Sequence, residues 1–234
     1  MCEQKVVFRN LGLIDYEEAW DYQEKLFDQM VVAKQKNKET GKHKSSENYL
    51  LFCEHPHVYT LGKSGKDSNL LINEEMLRSK GAALYRTDRG GDITYHGPGQ
   101  LVGYPILDLD AFRLSVKNYI FNLEEVIIRS LREFGLETGW LKGAAGVWLD
   151  AGDPLKERKI CSIGVRTSHM VSMHGFALNV NTNLDYFDYI IPCGIKGKSV
   201  TSLQKELGRK IDMQEVHEIV QQQFREVFKL EIIL

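Results

Sequence analysis

Three groups of residues in this chain could carry chemistry. Cys193 follows Pro192 and precedes Gly194, so a constrained backbone presents a thiol from a turn. Lys159 opens the strand-like run Lys159-Ile160-Cys161-Ser162-Ile163-Gly164-Val165. Residues 89–100 read Arg-Gly-Gly-Asp-Ile-Thr-Tyr-His-Gly-Pro-Gly-Gln, four of the twelve being glycine. A thiolate is the nucleophilic form of cysteine, and a neighbouring lysine lowers the thiol pKa. Desolvation of such a lysine lowers its own pKa and lets it shuttle a proton. His96 and His174 are the other candidate bases, for a Cys–His pair. Each has a plainer reading. A free cysteine is more often a small buried hydrophobe, a lysine usually a solvated charge, and His174 equally suits a hydrogen-bonded core position. Cys161 rivals Cys193, because residues 159, 161 and 163 of a strand share a face. Cys53 lies in an apolar run and reads as core, and Cys2 is terminal.

The glycine-rich stretch reads as a binding loop between two strands. Glycine lets backbone take φ > 0 or approach a ligand closely. Walker A is absent, the dinucleotide fingerprint fails, and no helix follows Arg89-Gly90-Gly91 to receive a pyrophosphate. What survives is Arg89 with backbone N–H groups, facing carbonyl or carboxylate oxygens. No HExxH pattern appears, and His55 and His57 flank Pro56 without a third ligand nearby, so no metal is expected.

The elements that must position these groups follow from periodicity. Residues 6–8, 49–53, 58–61, 83–85, 101–109, 146–149, 159–165 and 176–180 read as strands, with Pro105 at an edge or bulge. Helices are expected at 16–32 behind Asp15, at 74–79 behind Asn73, at 115–134, and from a capping box of Asp212 and Glu215 onward. Residues 34–47 are lysine-rich and read as a solvated loop, and residues 181–188 as another loop. Strands and helices mix without regular βαβ alternation. This predicts an α/β chain of the α+β type, a mixed, mainly antiparallel sheet with packed helices. The 234 residues suit one domain, 1–234, with 199–234 a candidate small C-terminal subdomain.

Bulk composition bounds the function. Lys+Arg at 30 against Asp+Glu at 32 argues against a broad basic face for nucleic acid. No window reaches the roughly 18 apolar residues of a membrane span, and the first ten residues are no apolar leader. Four scattered cysteines suit a reducing compartment, so the cytoplasm is expected.

Taken together, several stretches resemble the lipoyl(octanoyl) transferase family. They are His55-Pro56-His57-Val58-Tyr59-Thr60-Leu61-Gly62, residues 89–109, Gly146-Val147-Trp148, residues 159–166, residues 174–180, Pro192-Cys193-Gly194-Ile195 and Val200-Thr201-Ser202-Leu203. The resemblance implies a fold similar to the biotin and lipoate protein ligases. It implies transfer of an octanoyl group from acyl carrier protein, where it rides on phosphopantetheine, to a lysine of lipoyl domains. Those domains belong to 2-oxoacid dehydrogenase complexes and the glycine cleavage H protein. No cofactor, nucleic acid or membrane is implied. It implies a dyad of Cys193 and Lys159, and acyl contacts from Arg89, Gly90, Gly91, Asp92, Ile93, Thr94, Tyr95, His96, Ser162, Ile163, Gly164, Gly175, Phe176 and Ala177. Cys161 stands where the family commonly has a small residue, which leaves a second thiol on the lysine face. The nearest rival is an ATP-dependent lipoate or biotin ligase of the same fold. Residues 95–100, Tyr-His-Gly-Pro-Gly-Gln, separate the two readings in favour of the transferase.

Overall fold

The computed structural model describes residues 4–41, 47–191 and 199–233. In chain order its elements are β1 (Gln4–Leu13), α1 (Tyr16–Thr40), β2 (Asn48–Glu54), β3 (Val58–Leu61), α2 (Glu74–Ser79), β4 (Ala83–Arg86), β5 (Ile93–His96), β6 (Gln100–Ile106), α3 (Val116–Glu133), β7 (Thr138–Leu141), β8 (Ala144–Leu149), β9 (Arg158–Ser168), β10 (Val171–Asn179), β11 (Ser199–Val200), α4 (Leu203–Leu207), α5 (Met213–Phe228) and β12 (Leu230–Ile233). The main sheet runs β12-β1-β2-β6-β10-β9-β8-β7, with β11 beside β9. β1 is parallel to β12 and β2, and β11 to β9; the remaining pairs are antiparallel. A small sheet, β4-β3-β5, holds the strand of the glycine-rich stretch. The expected α+β class is what forms.

Strand alternation sorts side chains to the two faces of the main sheet. Leu50 and Phe52 of β2, Leu101 of β6, and Phe176 and Leu178 of β10 enter one core with α3 and α5. Leu51, Cys53, Val102, Tyr104 and Ala177 enter the other, under α1. A central sheet covered on both faces explains why β2 and β6 are apolar almost throughout. Full burial of Leu123, Val126, Ile127 and Leu131 on α3 contributes about 1.5–3 kcal/mol each. Ser115 caps that helix through Asn118 N–H, and Asp15 caps α1 through Glu17 N–H. The C-terminal residues join the same core: α5 packs on α3, and β12 extends the main sheet beyond β1.

The structure corrects several local expectations. α1 continues to Thr40, because Ala, Lys, Gln and Glu are good helix formers. Lys34 is therefore not a solvated loop residue; it pairs with Asp108 and, at 2.8 Å, with Asp110. Residues 42–46 of that stretch lie outside the described residues. Leu184–Tyr189 is a short 3₁₀ helix rather than loop. Within the expected binding loop Ile93–His96 is strand, because Ile93, Thr94 and Tyr95 are strand formers with β3 to pair on. Pro105 sits in a central strand, not at an edge, but where the β6–β10 ladder has stopped at Gly103. Ser172 bridges the gap, its hydroxyl donating to Pro105 O and accepting from Leu107 N–H.

β10 crosses β6 closely at Gly175, where an added Cβ would meet Gly103 O at 2.2 Å and Pro105 Cδ at 2.6 Å. Neither neighbour is the free end of a flexible side chain. Gly175→Ala is expected to destabilise the fold by about 1–3 kcal/mol, read as a lowered urea midpoint at unchanged m value.

Candidate active site

A cavity of ≈ 380 Å³ lies between the α1 side of the main sheet and the small sheet. Lys159, Arg89, Gly91, Asp92, Ile93, Thr94, His96, Ser162, Ile163, Gly164, Gly175, Phe176 and Ala177 line it. The fold thus brings together segments far apart in sequence. Gly90 and Tyr95 are not among its lining residues. In β5, Thr94 and His96 face one side and Tyr95 the other, where Tyr95 is fully buried against Tyr186 and bonds His57 Nδ1 at 2.7 Å. Cys193 lies within residues 192–198, outside the described residues. The chain on either side is placed: Ile191 N–H donates to Asn69 O at 2.8 Å, and Val200 pairs with Lys159.

The glycine-rich stretch is held from within. Arg89 is buried, with Nη2 2.6 Å from Thr60 O and 2.7 Å from Asp92 O, Nε 3.1 Å from Thr60 Oγ1, and Nη1 3.1 Å from Gly90 O. Asp92 accepts from Ile93 N–H at 2.7 Å and from Asn69 Nδ2 at 2.6 Å. Gly90 N–H reaches Val165 O at 2.9 Å, and a Cβ on Gly164 would meet Gly90 O at the same distance, so the loop rests on bare backbone of β9. Against the expectation that they face a ligand's oxygens, the Arg89 guanidinium and the Gly90 N–H bond to the protein's own carbonyl and hydroxyl oxygens.

Lys159 is 4% exposed. Its ammonium donates to Ala145 O at 3.1 Å and lies 4.7 Å from the Trp148 ring centroid. Glu124 is a neighbour that sequence reasoning missed. Burial raises its carboxyl pKa, against the Gly146 N–H bond and the Lys159 charge, which lower it. Cys161 is fully buried in the α3–α5 core, and desolvation pushes its thiol far up, with Lys159 only a lesser opposing influence. Cys161 is not among the residues that line the cavity, so its placement is that of a core residue rather than a nucleophile.

His55, His96 and His174 are buried, and burial lowers the pKa of each. His96 bonds Gln100 Oε1 at 2.8 Å and stacks on Tyr16, and desolvation lowers it to about 3. His55 lies 2.7 Å from Tyr104 OH and is lowered by burial to about 4. His174 is lowered by burial too, against its 2.9 Å bond to Asp88, which also pairs with Arg166 at 2.5 Å. His174 is the register partner of Val165, six residues along β9 from Lys159, roughly 20 Å at strand rise, so it is no base for the lysine end. His174, Tyr16, Ser64, Val102, Tyr104, Gly143, Ala144, Ala145, Phe187 and Val200 complete the wall. Apart from His174, nothing local marked them. Tyr16 read as part of a helix face and Val102 and Tyr104 as strand, and only tertiary packing turns them inward.

A cavity with a buried lysine in its wall, built on a sheet with helices on both faces, has the character of an enzyme pocket for a small, largely apolar group. The lipoyl protein ligase A/B catalytic domain family matches residues 15–225. The octanoyltransferase of Christiangramia forsetii is 56% identical over 230 residues, covering 98% of each chain. Among solved structures, a putative lipoate protein ligase from T. acidophilum superposes with a TM-score of 0.69 at 14% identity, covering 99% of this chain and 88% of that one. The biotin protein ligase from Aquifex aeolicus in complex with biotin and ATP gives 0.52 at 15%, covering 97% and 70%. Those two likenesses speak for the fold alone. The chain belongs to the octanoyltransferases of the lipoyl protein ligase A/B catalytic domain family, and is an acyltransferase. Octanoyl transfer needs an acyl donor and a protein acceptor.

The buried imidazoles make stability depend on pH. Their folded pKa values lie below the ordinary 6.5, so the unfolded chain takes up protons first as pH falls. The stability they contribute is fully present above pH 6.5 and is lost on descent toward the folded values near 4 and 3. His96→Asn is expected to flatten the slope of unfolding free energy between pH 6 and 4 by about 1.4 kcal/mol per unit. Urea titrations at successive pH values measure this, and an unchanged slope would mean that His96 is charged in the fold.

Proposed function

We propose that the chain carries an octanoyl group from acyl carrier protein to a lysine of lipoyl domains through a thioester on Cys193, with Lys159 as acid and base. The observation that carries this reading is Lys159: a buried lysine at one end of the acyl cavity, paired in register with Val200 just beyond the stretch that holds Cys193. The Cys193 thiolate attacks the donor thioester carbonyl, and the phosphopantetheine thiolate leaves with a proton from Lys159. The acceptor amine then attacks the Cys193 thioester, returns its proton to Lys159 and releases the Cys193 thiolate. Thioester exchange is near balance and amide formation from a thioester runs downhill, so ATP, metal and cofactor are not part of the cycle. Buried methylenes supply about 0.8 kcal/mol each to hold the chain.

The acceptors in this reading are the lipoyl domains of 2-oxoacid dehydrogenase complexes and the glycine cleavage H protein. The setting is the cytoplasm; among the described residues no helix is long and apolar enough to cross a membrane.

Mixing the chain with octanoyl-loaded carrier protein, without ATP, is expected to leave one octanoyl adduct on the intact protein by mass spectrometry. Cys193→Ser is expected to abolish the adduct, and Lys159→Ala to slow transfer about 10²–10⁴-fold. An adduct that survives Cys193→Ser, or transfer that needs ATP, would defeat the reading.

A further inference from the structure

The end of the cavity farthest from Lys159 holds polar groups that acyl transfer does not use. An unbroken β10 would turn His174 toward the core that Phe176 and Leu178 enter. Its left-handed backbone, φ 59°, accompanies a different placement, with the imidazole 6.2 Å from the Trp20 ring of α1. Asp88 can only accept, so His174 Nε2 carries the proton and Nδ1 presents a lone pair. Gln23 Oε1 occupies the backbone N–H of His174 at 3.2 Å. Nδ1 itself is buried without a protein partner. The indole N–H of Trp20, which can only donate, is buried without one as well. The imidazole is 2% exposed and His174 lines the cavity, opposite in the long direction to Lys159.

The two rings are neighbours, Trp20 behind the His174 that lines the cavity, and a bare buried donor and a bare buried acceptor are each costly. The single group that satisfies both is a hydroxyl, which accepts from Trp20 and donates to His174. We propose that this end of the cavity is a hydroxyl-binding cap formed by Trp20 Nε1 and His174 Nδ1. The hydroxyl has two sources of the same chemistry. A water fills the cap when a plain octanoyl chain occupies the cavity, and an acyl chain with a terminal hydroxyl supplies its own. In the first case a longer plain chain must expel the water and strand both polar atoms, so the cap also limits chain length. The inference rests on the cavity being the acyl site, as proposed above.

The test compares octanoyl, 8-hydroxyoctanoyl and decanoyl groups, each loaded on carrier protein, in the full chain and in Trp20→Phe and His174→Asn. Phenylalanine keeps an aromatic ring and removes the donor. Asparagine tolerates the left-handed backbone and removes the imidazole acceptor. The kcat/KM ratio of 8-hydroxyoctanoyl to octanoyl is expected to fall about fivefold or more in each variant, as loss of one buried partner implies. The decanoyl to octanoyl ratio is expected to rise by a similar factor. A shift in the hydroxyl ratio assigns the cap to the chain's own hydroxyl, and a shift in the decanoyl ratio alone assigns it to water; either supports the cap. Both ratios unchanged in a variant that still transfers octanoyl would overturn it. Failure of the unaltered chain to transfer octanoyl would overturn the acyl reading and the cap with it.

Discussion

The site depends on a buried guanidinium. Arg89 is taken out of water almost completely, which is tolerable only because Thr60, Gly90 and Asp92 supply oxygen acceptors within 3.1 Å. Its fork ties the start of the glycine-rich stretch to β3, and Asp92 carries the tie on to Asn69 and so to Ile191. The same residue shapes the cavity wall and, through two further bonds, anchors the chain that leads into the Cys193 stretch. Replacing a fork of this geometry with lysine would keep the charge and lose most of the acceptors it organises.

A second chain of buried bonds crosses the molecule in the other direction. His96 holds Gln100, Gln100 Nε2 donates to Asn179 Oδ1, Asn179 Nδ2 donates to Thr201 O, and Thr201 N–H returns to Lys159 O. Every member is buried, and each donor has found an acceptor. Such networks are stabilising only when fully satisfied, and they then fix one arrangement. Here the arrangement is the spacing between the wall of the acyl cavity and the strand that carries the lysine. An apolar channel cannot specify its own width, and the polar residues around it do so.

How much of this was legible in the sequence differs by the kind of interaction. Periodicity located α3 and the strand of Lys159, because those elements are built from apolar residues repeating at fixed intervals. The grouping of residues 89–96, 162–164 and 175–177 came from motif resemblance, and the register of β10 on β9 gives its reason: Gly175 stands opposite Gly164 and Ala177 opposite Ser162. Side-chain direction was less legible. Tyr95 and Arg89 belong to the motif, yet one is core and the other a clamp, since alternation and hydrogen bonding are settled by what packs behind β5. Cys161 shares a strand face with Lys159 by count, but the register shift between Val147 and Trp148 where β8 meets β9 separates their surroundings. Tyr16, Tyr104 and Glu124 carry no local mark, because they enter the site from elements whose own patterns describe only burial.

The proposed cycle divides the labour of the site. In it the cavity holds the acyl chain, and the reacting end falls to a few groups around Lys159. There, Ala145 O and the Trp148 ring face the ammonium, and burial has weakened the nearby Glu124 as an anion. Lys159 and Glu124 are both buried, so little water reaches the groups at this end. In the proposed cycle Lys159 gives its proton to the leaving thiolate and takes one back from the acceptor amine. On that reading, transfer differs from ATP-driven ligation by its use of Lys159 and the Cys193 thiol, and the rest of the cavity need not differ.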